Sequence, residues 1–301
     1  FSGSVQDIAI DAFRIELADL NQQGNLAASY QFGYRIAILI SSSFALIFAS
    51  DYGWNLTYQV MSLLMLIGII GVLICPEEVN VNLKRLTLQN SIVEPLKDFI
   101  TRFGLYFASF LLMIVATYRL TDIVMGPMAS PFYLEKGYTL KEIGYIVKVV
   151  AVIASIVGFF LGGLLVKRLG VKVTLIIGAF LVLMTNLSFS LVAILEKDLY
   201  LLGWVVGADS LAAGVVGTAN ITFLTSLVSK KYTAVQYALL TSFMMLPGKF
   251  FSGFSGMLAN FMKYEFGEEN GWMAFFIFTS LLTLPSLLLL FYYIRRNNLN
   301  D

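Results

Sequence analysis

Six ionisable side chains, Arg35, Arg119, Asp122, Lys148, Asp209 and Lys249, stand inside stretches that are otherwise apolar enough to cross a membrane. A charge at the bilayer centre costs about 2.5 to 3.5 kcal/mol on insertion scales, so such side chains face protein or a water-filled path. The chemistry open to them is the binding and exchange of ions and protons. Arg35 and Arg119 offer planar forks suited to carboxylates, whereas Lys148 and Lys249 offer point charges. Asp122 and Asp209 are carboxylates whose protonation answers to burial and to cationic neighbours.

Depth ranks these residues. Arg35 lies about ten residues, hence about 15 Å, from the nearer end of its helix, which is close to the midplane. It binds a carboxylate of a solute or a buried acidic partner. Asp209 falls at a similar depth and is the leading candidate for a proton site, with Lys148 and Lys249 as possible partners in a permanent bridge. Arg119 and Asp122 are three apart and can neutralise each other, or Asp122 can exchange that pairing for a proton. Gln236 and Tyr237 offer hydrogen bonds to sugar or peptide groups, or to a neighbouring helix. Asp7, Asp11 and Arg14, spaced i, i+4 and i+7, stack on one face about 10 Å long. That face is part of a polar path, a gate, or an ion-pair cluster that closes a mouth.

The elements that position these groups are membrane helices. Hydrophobic residues make up 58% of 301 positions and charged residues 13%, against about 25% charged in soluble domains; the mean hydropathy is +0.80. Apolar runs bounded by charge, Pro or Gly place spans at about 25-49, 54-75, 103-126, 140-166, 171-195, 199-228, 233-262 and 270-294. The expected architecture is an all-α integral membrane protein with eight full helices, residues 1 to about 16 forming the end of a ninth. Pro247-Gly248 predicts a kink. Gly158-x-x-x-Gly162 and Gly203-x-x-x-Gly207 predict close helix packing.

Lysine and arginine set the orientation. Arg14, Lys84, Arg85, Lys97, Arg102, Lys167, Arg168, Lys172, Lys230, Lys231, Arg295 and Arg296 fall on one side; Lys136, Lys141, Lys197 and Lys263 fall on the other. Twelve against four places the C-terminus in the cytoplasm by the positive-inside rule. The segment 76-102, with Pro76, Glu77, Glu78, Lys84, Arg85, Glu94 and Pro95, reads as a cytoplasmic linker between a bundle remainder, 1-75, and a six-helix bundle, 103-301.

Several classes fall away. The basic residues are dispersed, which argues against a nucleic-acid partner. Cys75 is the single cysteine, and no metal-ligand spacing is evident. Gly253-Phe254-Ser255-Gly256 resembles an intramembrane serine-protease motif, but the chain has no histidine to activate the serine. No enzyme and no cofactor are expected.

Two bundles joined by a cytoplasmic loop are the plan of the major facilitator superfamily. Gly163-Leu164-Leu165-Val166-Lys167-Arg168-Leu169-Gly170-Val171-Lys172 resembles that superfamily's loop signature, with Lys167 where the first-half copy carries aspartate. Gln6-Asp7-Ile8-Ala9-Ile10-Asp11-Ala12-Phe13-Arg14, Gly33-Tyr34-Arg35, Ser130-Pro131-Phe132-Tyr133 and Tyr232-Thr233-Ala234-Val235-Gln236-Tyr237-Ala238-Leu239-Leu240-Thr241-Ser242 resemble the AmpG muropeptide permeases along the whole chain. The resemblance implies proton-coupled symport of anhydro-muropeptides across a bacterial inner membrane for peptidoglycan recycling. It implies that about three helices precede this chain, and a separate polypeptide supplying them is an expected partner beside membrane lipid, protons and an anhydro-sugar peptide. Lys249 stands where the family has arginine. The roles expected from depth, charge and spacing are substrate binding by Arg35, Lys249, Gln236, Tyr237 and Arg119, proton coupling by Asp209 and Asp122, and gating by Asp7, Asp11, Arg14, Lys167 and Arg168. The alternatives are an acetyl-CoA transporter of similar design, whose polyphosphate cargo needs a denser basic cavity, and a truncated remnant that does not transport.

Overall fold

The computed structural model describes residues 2–17, 19–74 and 88–297, and every regular element among them is helical. The first part of the chain forms α1 (Ser2–Glu16), α2 (Leu20–Leu39), a π-helical turn (Ile40–Phe44) and α3 (Ala45–Ile74). Then follow α4 (Leu88–Phe103), α5 (Leu105–Tyr118), α6 (Leu120–Glu135), α7 (Leu140–Tyr145), a second π turn (Ile146–Val150) and α8 (Ala151–Leu169). The remainder is α9 (Val171–Ile194), α10 (Leu199–Leu227), α11 (Thr233–Ser252), α12 (Ser255–Phe266), α13 (Glu268–Leu281) and α14 (Leu284–Asn297).

Among the described residues, six stretches are long and apolar enough to cross a membrane: Asp51–Ile74, Leu105–Glu135, Ala151–Leu169, Val171–Ile194, Leu199–Leu227 and Asn270–Arg295. The expected spans at 25-49 and 233-262 are helical but less apolar. Gln31 and Arg35 interrupt the first, and a backbone break divides the second. In the expected linker 76-102, residues 75–87 lie outside the described residues, and the rest belongs to α4. That helix buries Phe99 and exposes Ile92, Val93 and Leu96, an amphipathic arrangement. Gly104, at φ +74°, turns the chain from α4 into α5, a conformation open to glycine without a Cβ penalty.

The helices from α4 onward hold two apolar cores stacked along their length, the first of which also takes in Ile15 of α1. One gathers Leu111, Ile114 and Tyr118 of α5, Leu175 and Val182 of α9, Val216 and Phe223 of α10, Leu240 and Met244 of α11, and Leu290 of α14. The other gathers Phe132 of α6, Phe189 of α9, Leu202 and Val205 of α10, Ala259 of α12, and Trp272, Phe275 and Phe276 of α13. Between them each helix presents polar or small residues. Thr121, Thr185, Asn186, Ser255, Thr279, Ser280 and Thr283 are all buried there.

Close backbone approach sets the packing around these cores. A Cβ on Gly158 of α8 would meet the Leu211 carbonyl of α10, and one on Gly214 would lie 2.5 Å from the Ser155 carbonyl. On the other face of α8, Gly163 fits against Gly24 and Ala28 of α2, where its Cβ would lie 3.2 Å from the Gly24 carbonyl. The expected packing role of Gly158 and Gly162 therefore has a partner helix. Gly203 does not, for nothing lies within 4 Å of its Cβ position. It sits on the wall of an apolar groove instead.

Candidate functional site

A cavity of about 470 Å³ opens between α1, α2 and α11. Helical spacing supplies its lining. Ser4, Asp7, Ile8 and Asp11 recur along one face of α1, Tyr30 and Tyr34 are a turn apart on α2 with Gln31, and Tyr237, Thr241 and Ser242 descend α11. Carboxylates, phenols, hydroxyls and an amide thus converge on a space whose remaining walls are apolar.

Arg14 packs behind the lining residues Asp11, Tyr30 and Tyr237. The side chain is 5% exposed, and its guanidinium reaches four elements at once. Nε lies 3.7 Å from Asp11 Oδ1. Nη1 donates to Gln23 Oε1 and to Thr225 Oγ1, each at 3.3 Å. The carbon of the guanidinium stands 5.3 Å from the centre of the Tyr237 ring and 5.7 Å from that of Tyr30. Gln23 in turn donates to the Ile15 carbonyl at 3.0 Å, fixing the α1–α2 corner. The C-terminal end of α1, the N-terminal end of α2, the C-terminal end of α10 and the N-terminal end of α11 are therefore pinned by one side chain. A planar fork with several donors suits this task, since a lysine would satisfy fewer of these partners in fixed geometry.

Arg119, Asp122 and Asp209 lie in the polar layer between the two cores. Arg119 occupies the break between α5 and α6, with φ −103° and ψ 5°. Its Nε is 3.4 Å from Asp122 Oδ2, and Asp122 sits in the first turn of α6, where the positive end of the helix dipole favours a carboxylate. Asp209 accepts from Thr185 Oγ1 at 3.0 Å and is in electrostatic range of Asp122. No described cation stands within ion-pair distance of Asp209. Lys249 is exposed on α11 and the side chain of Lys148 lies outside the described residues.

The sequence is similar to those of transporters. A model of the Major Facilitator Superfamily matches residues 1–252. The AmpG 4 transporter of Rickettsia conorii is 34% identical over 299 residues, which cover 97% of this chain and 70% of that one. The anhydromuropeptide permease of Escherichia coli K12 is 30% identical over 292 residues, covering 96% of this chain and 57% of that one. The chain belongs to the AmpG branch of the major facilitator superfamily. This makes it a membrane transporter rather than an enzyme.

In this superfamily member, the residues singled out from sequence separate into distinct places. Asp7, Asp11 and Tyr237 meet at the cavity, with Arg14 beneath. Arg35 is half-buried on α2, its guanidinium carbon 5.8 Å from the centre of the Phe159 ring on α8. Gln236 is turned away and is fully engaged: Nε2 donates to the Pro95 carbonyl and to Asp98 Oδ2 at 2.9 Å, and Oε1 accepts from the Ser229 backbone at 2.7 Å and from Arg102 at 3.2 Å. It ties α4 to the α10–α11 turn. Lys167 and Arg168 are exposed at the end of α8.

The expected kink at Pro247-Gly248 is displaced. α11 continues through Pro247 to Ser252 and breaks at Gly253 and Phe254. Gly248 serves close packing instead: a Cβ there would lie 2.7 Å from Ile123 Cδ1. The structure adds Gln23, Tyr30, Thr185 and Thr225 to the site and brings Tyr34 of the Gly33-Tyr34-Arg35 segment to the cavity wall. Tyr30 and Tyr34, an aromatic pair at i, i+4 on the helix that carries Arg35, were the legible signal. Thr225 gave none, being 211 positions from Arg14.

Proposed function

We propose that this chain imports anhydro-muropeptides from periplasm to cytoplasm across the bacterial inner membrane, driven by protons, with its C-terminus in the cytoplasm. The observation that carries this reading is the α1–α2–α11 cavity. Its tyrosine rings, Gln31, Thr241 and Ser242 suit a sugar–peptide cargo, which needs aromatic faces for pyranose rings and short-range donors and acceptors for hydroxyls and amides. The permease of Escherichia coli that covers most of this chain is named for that cargo. Arg35 and Arg119 hold cargo carboxylates from beside the cavity, with Lys249 as a further cation. Tyr237 contacts the cargo, and Gln236 contributes by holding the α10–α11 turn.

Asp209 and Asp122 carry the proton. Asp209 has a hydroxyl donor and no described cationic partner, so its charge is free to change during the cycle. Arg14, with Asp7 and Asp11, forms the inner gate, and Lys167 and Arg168 flank it on the cytoplasmic side. With the Arg14 end inward, as the distribution of basic residues implies, the arrangement here is closed to the cytoplasm. A coenzyme A cargo fits less well, because Asp7 and Asp11 would face its phosphates.

Ligand-induced stabilisation of the purified protein tests the cargo assignment. At about 100-fold its Kd a bound ligand adds about 2.7 kcal/mol, enough to raise the melting midpoint by several degrees. Anhydro-muropeptide should do so and acetyl-CoA should not; the reverse ranking would refute the assignment.

A further inference from the structure

Three spans of the second bundle are broken, and the breaks are coupled to one another. α5 gives way to α6 at Arg119, α11 to α12 at Gly253 and Phe254, and α13 to α14 at Leu282 and Thr283. The Thr121 and Thr283 hydroxyls are 2.9 Å apart, linking the first break to the third. Ser255 Oγ donates to the Val124 carbonyl at 2.7 Å, linking the second break to the first. All four residues are buried, at 3% exposure or less.

The breaks also coincide with the boundary between the two cores. α5, α11 and α14 contribute only to the first core, and α6, α12 and α13 only to the second. The second group is fastened within itself. Glu135 of α6 accepts from Lys263 of α12 and from Trp272 of α13, each at 2.9 Å, while Phe132, Trp272 and Phe276 form an aromatic cluster. The first group has its own fastening in Phe110 of α5 against Tyr292 and Tyr293 of α14. The two packed groups meet at a thin layer where the helical hydrogen-bond ladder is interrupted in three places, while α9 and α10 run through it unbroken and serve both cores. Hinges of this kind absorb dihedral change over a few residues at element ends.

We propose that α6, α12 and α13 tilt as one body against α5, α11 and α14, about a joint formed by Arg119–Thr121, Gly253–Ser255 and Leu282–Thr283. The joint carries Arg119 directly and Asp122 one residue beyond it, so tilting alters the surroundings of their ion pair. This inference rests on helix geometry and core membership, and it holds whatever the cargo.

Spin labels report it in the intact chain, reconstituted in lipid with Cys75 replaced by serine. Within-body pairs are Leu134 with Phe261, and Met113 with Leu246; cross-joint pairs are Met113 with Leu134, and Leu246 with Phe261. All four sites are exposed. The cross-joint distance distributions should be at least about twice as wide as the within-body ones. Replacing Thr121 and Thr283 together by valine should widen the cross-joint pairs further and leave the within-body pairs unchanged. Equal widths for both classes of pair in the unsubstituted protein would overturn the joint, as would valine variants that broaden the within-body pairs to the same extent. Because the first comparison uses the unsubstituted core, a variant that folds poorly does not prevent a decision.

Discussion

Thr185 and Asp209 meet across α9 and α10, the threonine hydroxyl donating to the carboxylate at 3.0 Å. The contact lies in the polar layer between two apolar cores, and the proposed proton role of Asp209 makes it testable. Asp209→Asn keeps the shape and removes the charge. Uptake by this variant should fall about tenfold or more, equivalent to about 1.4 kcal/mol, and its pH dependence should flatten. Thr185→Val should retain uptake with a displaced pH profile. Uptake by Asp209→Asn with the original pH profile would mean that the proton is carried elsewhere.

Arg14 pins α1, α2, α10 and α11 through Asp11, Gln23, Thr225 and Tyr237. Arg14→Gln leaves the Asp11 carboxylate without its cation, and breaking such a pair costs about 3 to 5 kcal/mol when buried. The variant should melt earlier in detergent, and a cysteine placed at Ala238 should become reactive to a thiol reagent added from the Arg14 side. Arg14→Lys should be intermediate, because it keeps the charge and loses the fork. An unreactive cysteine in Arg14→Gln would show that the closure has another source.

Two glycines of similar sequence pattern should behave oppositely. Gly158→Ala drives a methyl into the Leu211 carbonyl, whereas Gly203→Ala meets nothing within 4 Å. The first should destabilise by about 1 to 3 kcal/mol, as overpacked cores do, and the second by less than about 0.5 kcal/mol. Thermal melts of the two single variants are sufficient to check this.

Ahead of the apolar span that starts at Ala151, Glu142 caps α7. Its carboxylate accepts from the Thr139 backbone N–H at 2.7 Å and pairs with Lys197 at 2.9 Å. These contacts hold its pKa at about 2, below the ordinary 4.5. A depressed folded-state pKa means that the stabilisation is present above about pH 4.5 and is lost as pH falls towards 2. Melting points taken near pH 5 and near pH 3 should therefore converge for the unsubstituted protein and Glu142→Gln at the lower pH. A constant difference between them would exclude this linkage.

Depth counting from sequence puts Arg35 and Asp209 near the midplane, because a helix advances a fixed distance per residue and charges are tolerated only against protein or water; that Asp122 stands in electrostatic range of Asp209 is visible only in the fold. Side-chain partners were less legible. Gln236 looked available for a ligand, yet its amide is used up by Pro95, Asp98, Arg102 and Ser229. Arg14 is held by Thr225, a contact that only the fold creates. Pro247-Gly248 predicts a kink, yet α11 continues through Pro247 to Ser252 and the helix ends at Gly253, since a helix that loses one hydrogen bond can persist when packing holds it. The span expected at 25-49 holds Gln31 and Arg35, which leave it more polar than the six apolar stretches.

Transport itself is tested most directly by loading the chain into sealed lipid vesicles and measuring accumulation of labelled anhydro-muropeptide under an imposed pH gradient. Accumulation above that in protein-free vesicles, abolished by a protonophore and reduced by Tyr237→Ala at the cavity, is the expected result. Uptake no greater than in protein-free vesicles, with the chain folded and correctly inserted, would contradict the proposed activity.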